Sequence, residues 1–178
     1  MSEILTAPHK GAASKVLVVG AQSSLTGGAT PLGDVVLSTE RLTRLTLDGD
    51  RVRAGAGVTL QAIQDVLAAL GRWLPPVPTY LGATAGGAVA TCAAGAATFK
   101  YGTVRPWVHG LTVVLAGGEV LELTRGERLA SSLVAVPALR MPDLAKCSAG
   151  YFMSPGMDLV DLFIGAEGTL GVIAEVVF

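Results

Sequence analysis

Apolar and polar positions alternate in short stretches whose period changes several times along the chain. Lys15–Val19 is a β-branched run that stops at Gly20, and Asp34–Ser38 is another, so a strand is predicted on each side of the loop "AQSSLTGGATP". From Arg44 to Gly57 the alternation continues on both sides of Asp48-Gly49, the pattern of a hairpin in an antiparallel or mixed sheet. The period then becomes helical. Leu60, Ile63, Leu67 and Leu70 recur on one face, with Thr59 placed to cap the start and Gly71 to end the helix in a left-handed conformation.

After Trp73–Pro78 the residues from Leu81 to Gly102 are mostly tiny, so they bury little and let backbones approach closely. His109–Thr124 alternates again around Gly117-Gly118, which predicts a second hairpin. Periodicity fades from Arg125 to Pro155, read as loop with a short helix. Asp158–Phe178 then predicts a brief helix, a glycine-rich turn and a final strand.

Composition narrows the setting. The 178 residues suffice to bury a core, the net charge is −1, and no Lys/Arg run offers an electrostatic footprint for nucleic acid or an anionic membrane. Apolar residues make up 51% of the chain, but Gly or a charge breaks each run before membrane-spanning length, and the N-terminus lacks a secretory pattern. A soluble, cytoplasmic protein is expected. Cys92 and Cys147 stand far apart with no CxxC and no clustered His, the pattern of reduced packing cysteines rather than of zinc ligands or a disulfide framework.

The candidate chemistry lies in three glycine-rich segments. In the first, Ser23, Ser24 and Thr26 precede Gly27 and Gly28, and such a loop can turn successive N–H groups into an anion-holding concavity or simply be a mobile surface loop. In the second, "ATAGGAVAT", Gly86 and Gly87 could admit a ligand while the residues after them start a short helix with its N–H groups toward it; small-residue packing of helix on sheet is the alternative. In the third, "GAEGTLGVI", Gly168 and Gly171 surround Glu167, whose carboxylate either braces a loop or ligand hydroxyl or is a solvated turn acid. Neither a P-loop nor a GxGxxG opening a helix is present. Three such segments in one small domain fit a large ligand with a phosphate centre.

The ordered set "SSLTGGATP", "VRAGAGVTLQAIQDVLAALG", "ATAGGAVATCAAG", "KYGTVR" and "GAEGTLGVI" resembles the FAD-binding domain of the vanillyl-alcohol oxidase and p-cresol methylhydroxylase superfamily, most of all its glycolate oxidase subunit and D-lactate dehydrogenase branch. The resemblance runs from about Val16 to the C-terminus. It implies an α+β fold of the p-cresol methylhydroxylase type, with mixed sheets and flanking helices. It places Ser23, Ser24, Leu25, Thr26, Gly27, Gly28, Thr84, Gly86 and Gly87 at the FAD pyrophosphate. Gly95, Tyr101 and Gly102 would line the flavin side, and Glu167, Gly168, Gly171, Val172 and Ile173 would close the site near the ribityl, ribose and adenine portions.

The sequence departs from the family pattern in places. Ala21 and Gln22 stand where glycines are common, so a left-handed backbone at Gln22 would cost about 1 kcal/mol or more. Cys92 replaces a frequent Asn and Ala166 a frequent Ser. Ser23 occupies the position of the His that carries flavin covalently in some relatives, which implies dissociable FAD. His109 reads as structural rather than as a base, and Arg105 and Trp107 as fixing the entry to the second hairpin rather than facing flavin.

The resemblance leads one to expect residues 1–14 as a short N-terminal segment and 15–178 as an FAD-binding domain incomplete at both ends relative to the family and lacking its cap domain. The resemblance implies an FAD-dependent oxidoreductase acting on a small 2-hydroxy acid such as glycolate or D-lactate, with an electron acceptor or iron-sulfur partner subunit. No His pair, carboxylate cluster or metal-ligand set is present to take the substrate proton, so the catalytic residues stay unassigned, metal ligands are not expected, and the chain is expected to be inactive alone. A non-catalytic or degenerate flavin-binding module, or a fragment, that needs a partner or cap for activity is the alternative.

Overall fold

The computed structural model describes residues 15–33, 35–75, 78–127, 144 and 150–178; the N-terminal segment 1–14, Cys147 and most of the stretch between the second hairpin and the last helix lie outside these. β1 (Val16–Val19) and β2 (Val35–Ser38) pair in parallel on either side of the first glycine-rich loop. β3 (Leu45–Asp48) and β4 (Arg51–Gly55) form the first hairpin. Its turn falls one residue later than the Asp-Gly pair: Asp48 faces Arg51, so Gly49 (φ 63°) and Asp50 make the corner.

α1 (Leu60–Ala68) begins at Thr59, whose Oγ1 accepts the Ala62 N–H at 3.2 Å, and buries Leu60, Ile63 and Leu67. Leu70 departs from the expected stripe. It is 53% exposed, because the helix stops at Ala68 and the chain turns away through Gly71 (φ 67°). Two short helices follow, α2 (Ala85–Ala90) and α3 (Thr98–Tyr101), then a 3-10 turn (Arg105–Trp107) and the second hairpin, β5 (Gly110–Val114) and β6 (Val120–Thr124). α4 (Leu159–Phe163) leads through the third glycine-rich segment into β7 (Val172–Val177).

The larger sheet has the order β3-β4-β7-β5-β6, so the last strand of the chain is inserted antiparallel between the two hairpins. Alternating apolar positions in either hairpin specify their inner faces but not their neighbour, which explains why this pairing is not legible from local pattern. Thr112 faces Glu175 while Val113 faces Ile173, leaving Ala174 as an extra residue on β7. Successive residues of β7 face opposite sides of the sheet, so the strand serves two cores. Ile173 and Val176 pack with Ile63, Val89, Val108 and Val160 under the helices, whereas Val172 joins Leu37 and Val114, with Val18 and Ala174, beneath the small parallel sheet. β7, which follows the third segment, therefore lies between the two layers. Among the described residues no helix is long and apolar enough to cross a membrane.

Candidate functional site

The first loop is exposed from Ala21 to Gly28, and Gln22 holds its backbone in the left-handed region (φ 49°) despite the cost of that conformation for a residue with a side chain. Its side chain compensates locally, Nε2 donating to Ala29 O at 2.6 Å. Ser24 and Thr26 share a hydroxyl–hydroxyl bond of 2.9 Å. The N–H groups of Ser23, Leu25, Gly27 and Gly28 find no acceptor among the described residues. Such adjacent free donors, with no Cβ at Gly27 or Gly28 to cover them, suit a phosphate group.

Thr84 begins the second segment and is buried; its Oγ1 accepts the Gly87 N–H at 3.4 Å. A Cβ built on Gly20 would collide with that same Oγ1, so the root of the first loop is pressed directly against Thr84. The expectation that the helix start aims its N–H groups at a ligand is corrected here. Ala85 N–H donates to Val58 O at 2.8 Å and Gly86 N–H to Ala56 O at 3.0 Å, so those donors stitch α2 to the turn after β4. Gly86 is a glycine because a Cβ there would stand 2.6 Å from that of Ala56, the close packing offered as the alternative. At Gly87, the long contact to Thr84 leaves a donor with spare capacity.

The third segment touches both others. Gly165 N–H donates to Val89 O at 3.0 Å and Glu167 N–H to Ala90 O at 2.9 Å, tying it to α2. Glu167 is exposed and left-handed (φ 50°), and its Oε2 stands against Gly28 of the first loop; Gly168 packs on Val18 of β1. Cys92, also left-handed (φ 46°), closes α2 beside Gly165. Each of these side-chain-bearing residues costs on the order of 1–2 kcal/mol in that conformation. All three positive-φ residues other than glycine among the described residues lie in or at the end of these segments. Strain collected in one place is a pointer to function.

Not every predicted position converges. Gly95 lies just before α3, its N–H donating to Thr98 Oγ1 at 2.8 Å. Tyr101 stacks edge-on between Trp73 and Trp107, with centroids 5.2 and 6.4 Å away, and Gly102 ends α3 beside it. Among the described residues no hydrogen bond or ring contact links this cluster to the three segments. Val172 and Ile173 point into the two cores, and a Cβ on Gly171 would stand 2.7 Å from Val113 Cγ1, so these three offer a ligand backbone only. The concave surface lined by Arg41, Leu42, Arg44, Gly55 and Glu175 lies beside the end of β4 and β7 and includes none of the predicted residues.

Trp107 Nε1 donates to Tyr101 O at 3.1 Å, and the Arg105 side chain turns to the end of α4, where it joins a partly buried ionic cluster with Asp161 and Arg125. Asp161 and Arg125 were not singled out by sequence. An acid flanked by Val160, Phe163 and Ile164 on a buried helix is the signal that points to it.

Residues 6–124 match the family described as FAD binding domain. The chain belongs to that family. FAD is accordingly its cofactor, and the free donors and open glycine faces of the first loop fit the pyrophosphate of such a group. The chain is 37% identical over 163 residues to the D-lactate dehydrogenase of Archaeoglobus fulgidus, covering 90% of this chain and 32% of that protein. It is 33% identical to the glycolate oxidase subunit GlcD of Bacillus subtilis, covering 89% of this chain and 30% of the relative. The chain thus spans about a third of the length of these relatives. A solved alkyldihydroxyacetonephosphate synthase superposes with a TM-score of 0.65 at 22% identity over 92% of this chain and 28% of that one, a likeness of fold. The α+β architecture expected from the sequence is therefore the observed one.

Proposed function

We propose that this chain is the FAD-holding part of an oxidoreductase that oxidises a small 2-hydroxy acid such as D-lactate or glycolate. The observation that carries the cofactor half is the mutual contact of the three glycine-rich segments: Gly20 on Thr84, Glu167 against Gly28, and Gly165 and Glu167 on the last carbonyls of α2. The substrate half is supported by relatives named for D-lactate and glycolate oxidation. In this reading Ser23, Ser24, Leu25, Thr26, Gly27 and Gly28 hold the pyrophosphate with Thr84 and Gly87. Glu167 and Gly168 close over the sugar portions, and Gly95, Tyr101 and Gly102 lie toward the flavin ring. The bound flavin supplies hydride acceptance. With Ser23 in the first loop, the cofactor is held without a covalent bond.

Glu167 is the carboxylate these segments bring together, and no histidine joins it among the described residues; His109 lies across the sheet, beside Arg51 and Arg53. Removal of the substrate's hydroxyl proton thus falls to groups outside this constellation. That arrangement also favours a second reading, a flavin-binding module that depends on a cap or partner chain for turnover. Anaerobic mixing of the flavin-loaded protein with D-lactate or glycolate distinguishes the two. Bleaching of the visible flavin absorbance supports the enzyme; flavin that stays oxidised until a partner chain is added supports the module.

A further inference from the structure

We infer that Arg105 is the positioning residue of the third glycine-rich segment and sets where Glu167 meets the first loop, an inference that rests on reading the three segments as the FAD site. Arg105 Nη1 donates to Asp161 O at 2.7 Å and Nη2 to Ile164 O at 2.7 Å. Both acceptors lie at the C-terminal end of α4, where helix carbonyls lack partners of their own. Ile164 immediately precedes Gly165. The guanidinium therefore grips the chain at the point where the strained turn begins.

The surroundings keep this grip in place. Phe152 covers the guanidinium, its ring centroid 4.2 Å from Cζ, and Cys92 Sγ lies 4.0 Å from Nη2. The Asp161 carboxylate is held mainly by Arg125, at 3.1 and 3.2 Å, and Arg125 in turn donates to Arg105 O at 3.0 Å and Val108 O at 2.7 Å. With that carboxylate shared, the Arg105 fork is free to serve two main-chain carbonyls three residues apart. Lysine has one ammonium point and cannot hold both in this geometry.

Beyond the grip, Gly165, Glu167 and Gly168 all take positive φ, at 87°, 50° and 80°. Such a turn relaxes when released at one end, since Glu167 gains from returning to an ordinary backbone region. Its other ties include the two bonds to Val89 O and Ala90 O and, further along, the Tyr151–Thr169 hydroxyl bond of 2.8 Å. Loosening Arg105 thus moves Glu167 relative to Gly28 without touching either.

The test is Arg105→Lys, made in the native background and together with Glu167→Gln. Amide hydrogen exchange needs no cofactor. The inference expects faster exchange at the Gly165 and Glu167 N–H groups, with Ile63 in α1 unchanged. FAD titration then expects affinity to fall about tenfold in the native background, the size of one charge-assisted hydrogen bond, and less than about twofold when Glu167 is already Gln. Unchanged exchange at Gly165 and Glu167, loss of protection throughout the chain, or the same loss of affinity in both backgrounds would overturn it. Failure of the native protein to bind FAD would instead overturn the proposed cofactor site, leaving the exchange result to decide the role of Arg105.

Discussion

The carboxylate Oε2 of Glu167 stands 3.6 Å from the point that a Cβ on Gly28 would occupy. That is an ordinary contact distance, and Gly28 has no positive φ. A methyl group there is therefore tolerated by the fold but covers the donors of the first loop. Gly28→Ala should leave unfolding free energy within about 0.5 kcal/mol of native while weakening FAD about tenfold or more. Urea denaturation and a flavin titration on the same sample check both halves.

Gly20 is different, because its Cβ would fall on Thr84 Oγ1 and not into open space. Gly20→Ala should destabilise by about 1–3 kcal/mol, as overpacking does, and weaken FAD as well. Thr84→Ala alone should cost about 1 kcal/mol through the lost helix cap. The double variant should be less damaged than the sum of the two, since removing Oγ1 makes the room that the new methyl needs. A double-mutant cycle by urea denaturation measures the coupling.

A glycine remote from the site provides the contrast. Gly49 sits at the corner of the first hairpin with φ 63° and nothing within 4 Å of a Cβ. Gly49→Ala should cost about 1 kcal/mol from backbone conformation alone and leave FAD affinity unchanged. A change in affinity would show that flavin binding follows global stability and not the three segments.

Asp161 should matter most for stability. It is 6% exposed and shares its carboxylate between Arg105 and Arg125. Asp161→Ala leaves two partly buried guanidiniums without it, and breaking a buried pair in this way costs about 3–5 kcal/mol. Part of that is recovered from Asp158, 3.2 Å from Arg125, so the lower end is expected. Thermal and urea unfolding check the size of the loss.

Much of this was readable from local pattern. β1, β2, both hairpins, the capped α1 and the order of glycine-rich segments follow from alternation, helical spacing and turn residues, all set by near neighbours in sequence. The insertion of β7 between β4 and β5 was not, because strand order depends on which inner faces meet at long range. Nor could the pattern say that the N–H groups of Ala85 and Gly86 are spent on Val58 and Ala56, a pairing between segments almost thirty residues apart. The missing glycine flagged Gln22 as the place where a left-handed backbone would be costly, but that the chain adopts it there, and at Cys92 and Glu167, came from the structure. Asp161 and Arg125 escaped for a similar reason, as charged residues far from Arg105 in sequence that form one cluster with it only when α4 packs beside the second hairpin.

The most direct measurement of the central claim is an amide-resolved NMR titration of the folded chain with FAD. The three-segment site predicts the largest shifts at Ser23–Gly28, Gly87 and Glu167–Gly168, with Gly49 and Glu122 still. Well-dispersed spectra in which those amides do not move, or in which the shifts gather around Arg41 and Arg44 beside the end of β4, would contradict it.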